Sequence, residues 1–340
     1  MKNNLFSGMH SALLLVEEQI YPAVISRWRI NMKQLKTDSI KPLAAAIGLG
    51  LAVAASPASA DINWNTGTTL FEDDNVDFLI NDDGDGILEV GESLVAVAEV
   101  NTAGGVDIAP QELTAISVIT LAGFADLDGG GIANDMIFTP GDFADIGLGT
   151  ISTTYAGAMV AFWLDDTPNL DISAGSVLAD STSCTTLAGC VAQASDGDLW
   201  QVDGFEGGTQ GLVDGDEFWV AFNAQADTNI VDVSNPAFSF GSVNAGLSIL
   251  FNGTGRELVE DSQSCFPFCG SGAGVTNGAV DFIAQGSILG GGEGFTTGGS
   301  EWFATSDFDF TKQAIPEPAS VALLAVGLLG VGASLRRRRS

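Results

Sequence analysis

Between Asp61 and Ile315 no long segment keeps a helical period. Short apolar stretches alternate instead with clusters of Gly, Asp, Asn and Ser at intervals of about a dozen residues or more, as an all-β sandwich or barrel requires. Candidate strands are Leu94 to Val100, Thr114 to Leu121, Gly157 to Leu164, Leu199 to Val202, Glu217 to Asn223, Phe238 to Phe251, Ala279 to Leu289 and Glu301 to Phe310. Asp61 to Asp77 reads as an initial strand and loop, and Gly290 to Gly299 as a glycine-rich break before the last strand. No tandem repeat of fixed period is present, which argues against propellers and solenoids. The expected fold is all-β, a single antiparallel β-sandwich or jelly-roll-like domain over residues 61–315.

The flanks of that region carry other instructions. Met32 is followed by Lys33, Lys36 and Lys41, then by the apolar run Leu43 to Ala55, then by Ser56-Pro57-Ala58-Ser59-Ala60. A charged segment, an apolar core and an A-x-A site make a secretory signal peptide over residues 32–60, addressed to the Sec machinery and cut after Ala60. Residues 1–31 show neither a second charged segment nor clean amphipathic periodicity. They are expected to be an extension ahead of the true start, and they hold the single histidine, His10.

Trimming these segments concentrates the charge. Of 43 Asp and Glu, all but Glu17, Glu18, Asp38 and Glu317 fall between residues 61 and 315, where only Arg256 and Lys312 are basic. Such a surface repels nucleic acid. It also resists its own compaction, so it needs counter-ions, either the bulk salt of a saline habitat or specifically held divalent cations.

The four cysteines, Cys184, Cys190, Cys265 and Cys269, lie in the exported region as two close pairs. An oxidising compartment favours disulfides, and the local pairs Cys184 with Cys190 and Cys265 with Cys269 would each close a short loop, although four cysteines permit three connectivities. Zinc fits poorly, because the spacings C-x5-C and C-x3-C are unlike finger spacings and no histidine is available.

One segment has a defined coordination chemistry. Asn81-Asp82-Asp83-Gly84-Asp85-Gly86-Ile87-Leu88-Glu89-Val90-Gly91-Glu92 follows the twelve-residue pattern in which hard oxygens at positions 1, 3, 5, 7, 9 and 12 surround Ca2+ and glycine at 6 makes the sharp turn. The ligands would be Asn81, Asp83, Asp85, the carbonyl of Ile87, Glu89 and Glu92, with Leu88 as the inward apolar anchor. Starting one residue later puts Gly84 at position 3, and starting two later puts Ile87 at position 5, so a single register works. Two features depart from an EF-hand: Asn81 stands where Asp is usual, and Leu94 to Val100 alternates like a strand. The segment resembles the calcium loops of dockerins and other secreted modules, which keep the ligand order while the flanking elements change. Against a structural calcium ion stands a plain Asp/Gly hairpin turn. Asp126-Leu127-Asp128-Gly129 begins like a second loop but lacks acids at its positions 5 and 12.

The aromatic residues Phe162, Trp163, Trp200, Phe218 and Trp219 lie in candidate strands and are expected as core, with a platform for sugar rings as the alternative. Alternation puts neighbours such as Phe218 and Trp219 on opposite faces, which would leave one of each pair exposed. Without histidine, Ser-His-Asp and Cys-His catalysis and most zinc hydrolases drop out, and Gly290-Gly291-Gly292 has no lysine nearby to make a phosphate loop. The expectation is a non-catalytic surface or exopolysaccharide-matrix protein with an adhesive or scaffolding role. The alternative is a glycan-active enzyme using paired carboxylates on matrix polysaccharide.

The C-terminus reads Pro316-Glu317-Pro318, then 17 residues from Ala319 to Leu335 without a charge, then Arg336 to Arg339 and Ser340. The uncharged run is at the short end of what spans a bilayer as a transmembrane helix, and the arginines fix its end in the cytoplasm. Two prolines hold the peptide extended just above the membrane. This order resembles the PEP-CTERM sorting signal, also called the ice-binding protein C-terminal domain. The resemblance covers residues 316–340 and implies that an exosortase recognises Pro316, Glu317 and Pro318, releases the tail at the inner membrane and passes the protein to the cell surface or extracellular matrix. It does not extend to the region in front. Ice binding is disfavoured there, because the regular Thr-x-Thr ladders of an ice-facing sheet are absent.

Overall fold

The computed structural model describes residues 62, 64, 67–85, 87–127, 131–172, 183–206, 217–223, 239–260, 263–264, 279–290 and 304–315. The expected signal peptide, the sorting tail with its expected membrane span, Gly86, Cys265 and Cys269 lie outside them. Among the described residues no helix is long and apolar enough to cross a membrane.

Among the described residues, thirteen strands run in the order β1 (Gly67–Ile80), β2 (Ser93–Ala103), β3 (Val106–Asp107), β4 (Glu112–Ala125), β5 (Asp135–Pro140), β6 (Ala158–Asp165), β7 (Asp198–Gly204), β8 (Phe218–Asn223), β9 (Ser239–Asn252), β10 (Gln263–Ser264), β11 (Ala279–Val280), β12 (Phe282–Gly290) and β13 (Ala304–Ala314). Two short helices, α1 (Gly149–Thr154) and α2 (Leu187–Ala194), and a 3-10 turn at Phe143–Ile146 are inserted between strands. Helices of six and eight residues are too brief to impose a readable period on the sequence, so alternation alone does not reveal them. Strand β5 is likewise absent from the candidate strands, and β1 is a far longer strand than expected because Glu72-Asp73-Asp74-Asn75 interrupts its apolar alternation. The expected strand Ala279 to Leu289 is broken at Asp281 into β11 and β12.

The sandwich or jelly-roll expectation is corrected: the fold is a closed eight-stranded antiparallel barrel. The first strand pairs with the last, from Gly67 opposite Ala314 to Asp77 opposite Ala304, while β2 pairs with both β1 and β4, so the ring has no free edge. Sandwich and barrel share one alternation of inward and outward residues, and only the long-range pairing of β1 with β13 separates them. The wall also forks. Both β4 and β9 are 14 residues long. The first half of β4 pairs with β6 and the second half with β5; the first half of β9 pairs with β8 and the second half with β7. The pairs β6–β7 and β5–β8 therefore complete the ring at its two ends.

Aromatic residues fill the lumen. Phe71, Phe162, Phe282 and Phe310 are almost fully buried, with Phe71 stacked on Phe310 at 4.7 Å between ring centroids and Phe282 on Phe310 at 5.2 Å. Trp200 meets Phe162 edge-on at 6.2 Å, and Trp219 stacks on Phe308 at 4.9 Å. A second core lies outside the barrel wall, where α1, α2 and the 3-10 turn cover Val76, Val95, Ile116 and Trp163. This covering decides between the two aromatic readings in favour of core packing. Phe218 and Trp219 do face opposite ways, but Phe218 packs with Val220 and Val280, and all five candidate platform residues are buried.

Candidate functional site

The twelve residues Asn81 to Glu92 form the whole connection between β1 and β2, since Ile80 and Ser93 are the last cross-strand pair. Short side-chain bonds shape the turn. Asp83 Oδ1 accepts from the backbone N–H of Asp85 at 3.3 Å, and Asp85 Oδ1 accepts from that of Ile87 at 2.8 Å. Leu88 is fully buried in the lumen core, as an inward anchor should be. The backbone bonds Gly91 N–H to Leu121 and Leu121 N–H to Glu92 fasten the end of the loop to β4.

The expected ligands are only partly gathered. Carboxylate oxygens of Asp82, Asp83 and Asp85 lie within 4.8 Å of one another, so Asp82 joins the cluster although it was not among the expected ligands. Asn81 adopts a left-handed backbone, φ 60°, and its Nδ2 donates to Asp145 Oδ2 at 2.8 Å, across the end of the 3-10 turn. Glu92 reaches back over the loop, where Oε1 accepts from the Asp83 N–H at 3.1 Å and Oε2 from the Glu89 N–H at 2.7 Å. The carboxylate of Glu92 is thus a clamp on the loop backbone, a role the spacing alone does not reveal. Each of its oxygens keeps a lone pair that a cation could use.

Polar groups also enter the lumen. By alternation Asp73, Asn75 and Asp77 on β1 face inward, against Ser306 and Phe308 of β13. Asn75, Asp77, Ser117 and Ser306 line one side of a cavity of about 50 Å³ whose other walls include Leu94, Phe138 and Trp219. Burial pushes the Asp77 carboxyl up to about 7, partly offset by its bond to the Ser306 hydroxyl. With the Asn75 amide turned to satisfy both its ends, Nδ2 donates to the Asp74 carbonyl and Asp73 Oδ2, and Oδ1 accepts from Ser306 at 3.1 Å. The Ser306 hydroxyl also lies 3.0 Å from Asp77 Oδ1, to which it can donate. Burial outweighs that bond, so Asp77 holds its proton at pH values well below 7.

Further along the lumen, Lys312 Nζ lies 2.5 Å from Asp203 Oδ2, both side chains fully buried. Gln201 Nε2 donates to the other Asp203 oxygen at 2.8 Å, and the ammonium sits 4.5 Å from the Phe282 ring centroid and 5.2 Å from that of Phe162. Sequence reading marks Lys312 only as a rare cation. Its inward direction follows from the β13 register, in which Ser306, Phe308, Phe310 and Lys312 alternate with Asp307, Asp309 and Thr311.

Cys184 and Cys190 are joined in a disulfide, one of the two expected local bridges, with Thr186 between them capping α2 through the Gly189 N–H at 3.1 Å. The pairing of Cys265 with Cys269 lies outside the described residues.

Fold and sequence together define an acidic all-β barrel whose lumen holds apolar rings and a few buried acids. Residues 314–339 match the family described as the PEP-CTERM protein-sorting motif. That match marks an exported protein processed by an exosortase and anchored transiently in the membrane. Comparison with curated proteins gave no match. The last described residue, Ile315, donates its N–H to the Glu257 carbonyl, so Pro316 follows directly on a chain still bonded to the barrel.

Proposed function

We propose that the barrel is a non-catalytic module of the cell surface or exopolysaccharide matrix, with an adhesive or scaffolding role and a structural calcium ion in the loop Asn81 to Glu92. The observation that carries the non-catalytic reading is the filled lumen. Stacked rings leave a cavity of about 50 Å³ there, whereas ligand pockets usually enclose about 300–1,000 Å³. Calcium is supported by the convergence of Asp82, Asp83 and Asp85 on one turn, where their charges repel unless a cation offsets them.

Binding of the processed protein to the producing strain's own exopolysaccharide, without release of reducing ends, is the expected result of a sedimentation assay. Release of reducing ends that stops when one carboxylate is replaced would establish the glycan-active alternative. Processing has its own check. Mass spectrometry of the extracellular protein should find Asp61 at the N-terminus and no Arg336 to Arg339, and an intact arginine-terminated chain in the surface fraction would contradict it.

For calcium, the expected gain is about 2.7 kcal/mol at a hundredfold excess over the dissociation constant, which for extracellular modules is about 10⁻⁴–10⁻³ M. The variant to use is Asp85→Asn, because its Oδ1 can still accept from the Ile87 N–H while losing the charge. It should forfeit the calcium-dependent rise in melting temperature and match the wild type in chelator. Glu92→Gln is less clean, since it also breaks the backbone clamp. Magnesium should substitute poorly, because it demands a tighter octahedral shell. Equal melting temperatures in calcium and chelator, at fixed ionic strength, would reduce the loop to a turn.

A further inference from the structure

A second group of carboxylates lies where β4, β6 and α2 meet. Glu112 opens β4 and stands directly opposite Asp165, the last residue of β6, so two acids form a cross-strand pair. Like charges in that position destabilise a sheet. Asp196, between α2 and β7, brings a third, and oxygens of all three lie within 4.8 Å of one another.

The state of Glu112 is the decisive observation. The residue is 3% exposed. Its Oε1 accepts from the backbone N–H groups of Asn169 at 3.0 Å and Leu170 at 2.7 Å, which folds the segment after β6 back onto β4. Its Oε2 is shut off from solvent and has no hydrogen-bond partner. A buried carboxylate oxygen without a partner is costly, and here two further acids crowd the same carboxyl. The neighbours are already oriented: Asp165 Oδ1 accepts from the Thr167 N–H at 2.9 Å, and Asp196 Oδ2 from Asn169 Nδ2 at 2.6 Å. Burial pushes the Glu112 carboxyl up, the Leu170 and Asn169 amides oppose this, and Asp165 and Asp196 push it up further. Of the two basic residues in the exported region, Lys312 is committed to Asp203.

We propose that Glu112, Asp165 and Asp196 form a site for a hard divalent cation of the calcium type, which would satisfy Glu112 Oε2 and offset the charges of the facing acids. Three carboxylates supply oxygen donors only, the chemistry that selects calcium or magnesium over softer metals. The three carboxylates come from two strand ends and one loop, and such an irregular set suits the more tolerant calcium shell better than the strict magnesium octahedron. The site shares no residue with the loop Asn81 to Glu92, and the proposal stands whether or not that loop binds.

Calorimetric titration of the processed protein with calcium at pH 8 tests it, using Glu112→Gln and the milder Asp196→Asn, whose Oδ1 can still accept from Asn169. Each should remove one bound calcium relative to wild type, or weaken that event at least tenfold, both in the parent and in an Asp85→Asn background. A titration unchanged by Glu112→Gln and by Asp196→Asn would overturn the proposal. So would a Glu112→Gln protein that matches or exceeds the wild-type melting temperature in calcium and in chelator alike, since Glu112 would then simply carry a proton. Loss of an event in Asp85→Asn reports on the other loop alone, so the two readings fail separately.

Discussion

Replacing Lys312 with methionine should destabilise the protein by about 3–5 kcal/mol, the usual cost of stranding one partner of a buried ion pair. Methionine keeps the length and packing of the chain among Phe162, Phe282 and Phe310, so the loss isolates the charge. Asp203 would be left fully buried with Gln201 as its remaining side-chain partner in the described network. Burial already pushes its carboxyl up, with the Lys312 ammonium opposing the rise, so the variant should regain part of its stability as pH falls and Asp203 takes a proton. Removing both charges, as Lys312→Met with Asp203→Leu, should cost much less than the single change, because apolar replacements of buried pairs are often neutral or better. Urea denaturation at pH 7 measures all three. A single variant within about 1 kcal/mol of wild type would show that the pair contributes as little as an exposed one.

The second large effect is a stability that falls as pH rises. Asp77 titrates at about 7 in the folded protein against 3.8 for an ordinary aspartate side chain, so the native state holds a proton that the unfolded chain has released. Its contribution is fully present below about pH 4 and is lost as pH climbs through 7. A displacement of that size corresponds to about 4 kcal/mol at the upper limit. Glu99, raised to about 7 chiefly by burial, and Asp309, raised to about 6 by burial and then by Asp307 and Glu72, add the same sign. In chelator the melting temperature should therefore be higher at pH 5 than at pH 8, against the ordinary course of acid denaturation. Asp77→Asn, which imitates the protonated side chain, should flatten part of this slope by raising stability at pH 8. A wild type that gains stability from pH 5 to pH 8, or an Asp77→Asn slope identical to wild type, would contradict the raised Asp77 carboxyl.

Much of the exported domain is legible in the sequence because its information is local. Short apolar runs bounded by turn residues mark β2, β4, β6, β7, β8, β9 and β13 to within a few residues. The six-residue spacing of Cys184 and Cys190 anticipates their bridge, and the run Asn81 to Glu92 falls on one connection between two strands. Local signals fail where composition contradicts conformation. The acids of β1 read as a loop, yet Asp73 is held in place by a bond from the Phe308 N–H, 235 residues away. Glu92 is legible as an acid at the right position, whereas its clamp on Asp83 and Glu89 requires the loop to be folded.

By itself the sequence determined the β class, the disulfide-bonded loop, the candidate calcium turn and the sorting tail, each written in neighbouring residues or fixed short spacings. Tertiary structure alone decided that the sheet closes on itself, that Lys312 meets Asp203 across 109 residues, and that Glu112, Asp165 and Asp196 share one corner. Those outcomes depend on which distant strands pair and in what register. One residue of slip would turn every side chain of a strand to its other face, and nothing in a single stretch of chain specifies the partner strand.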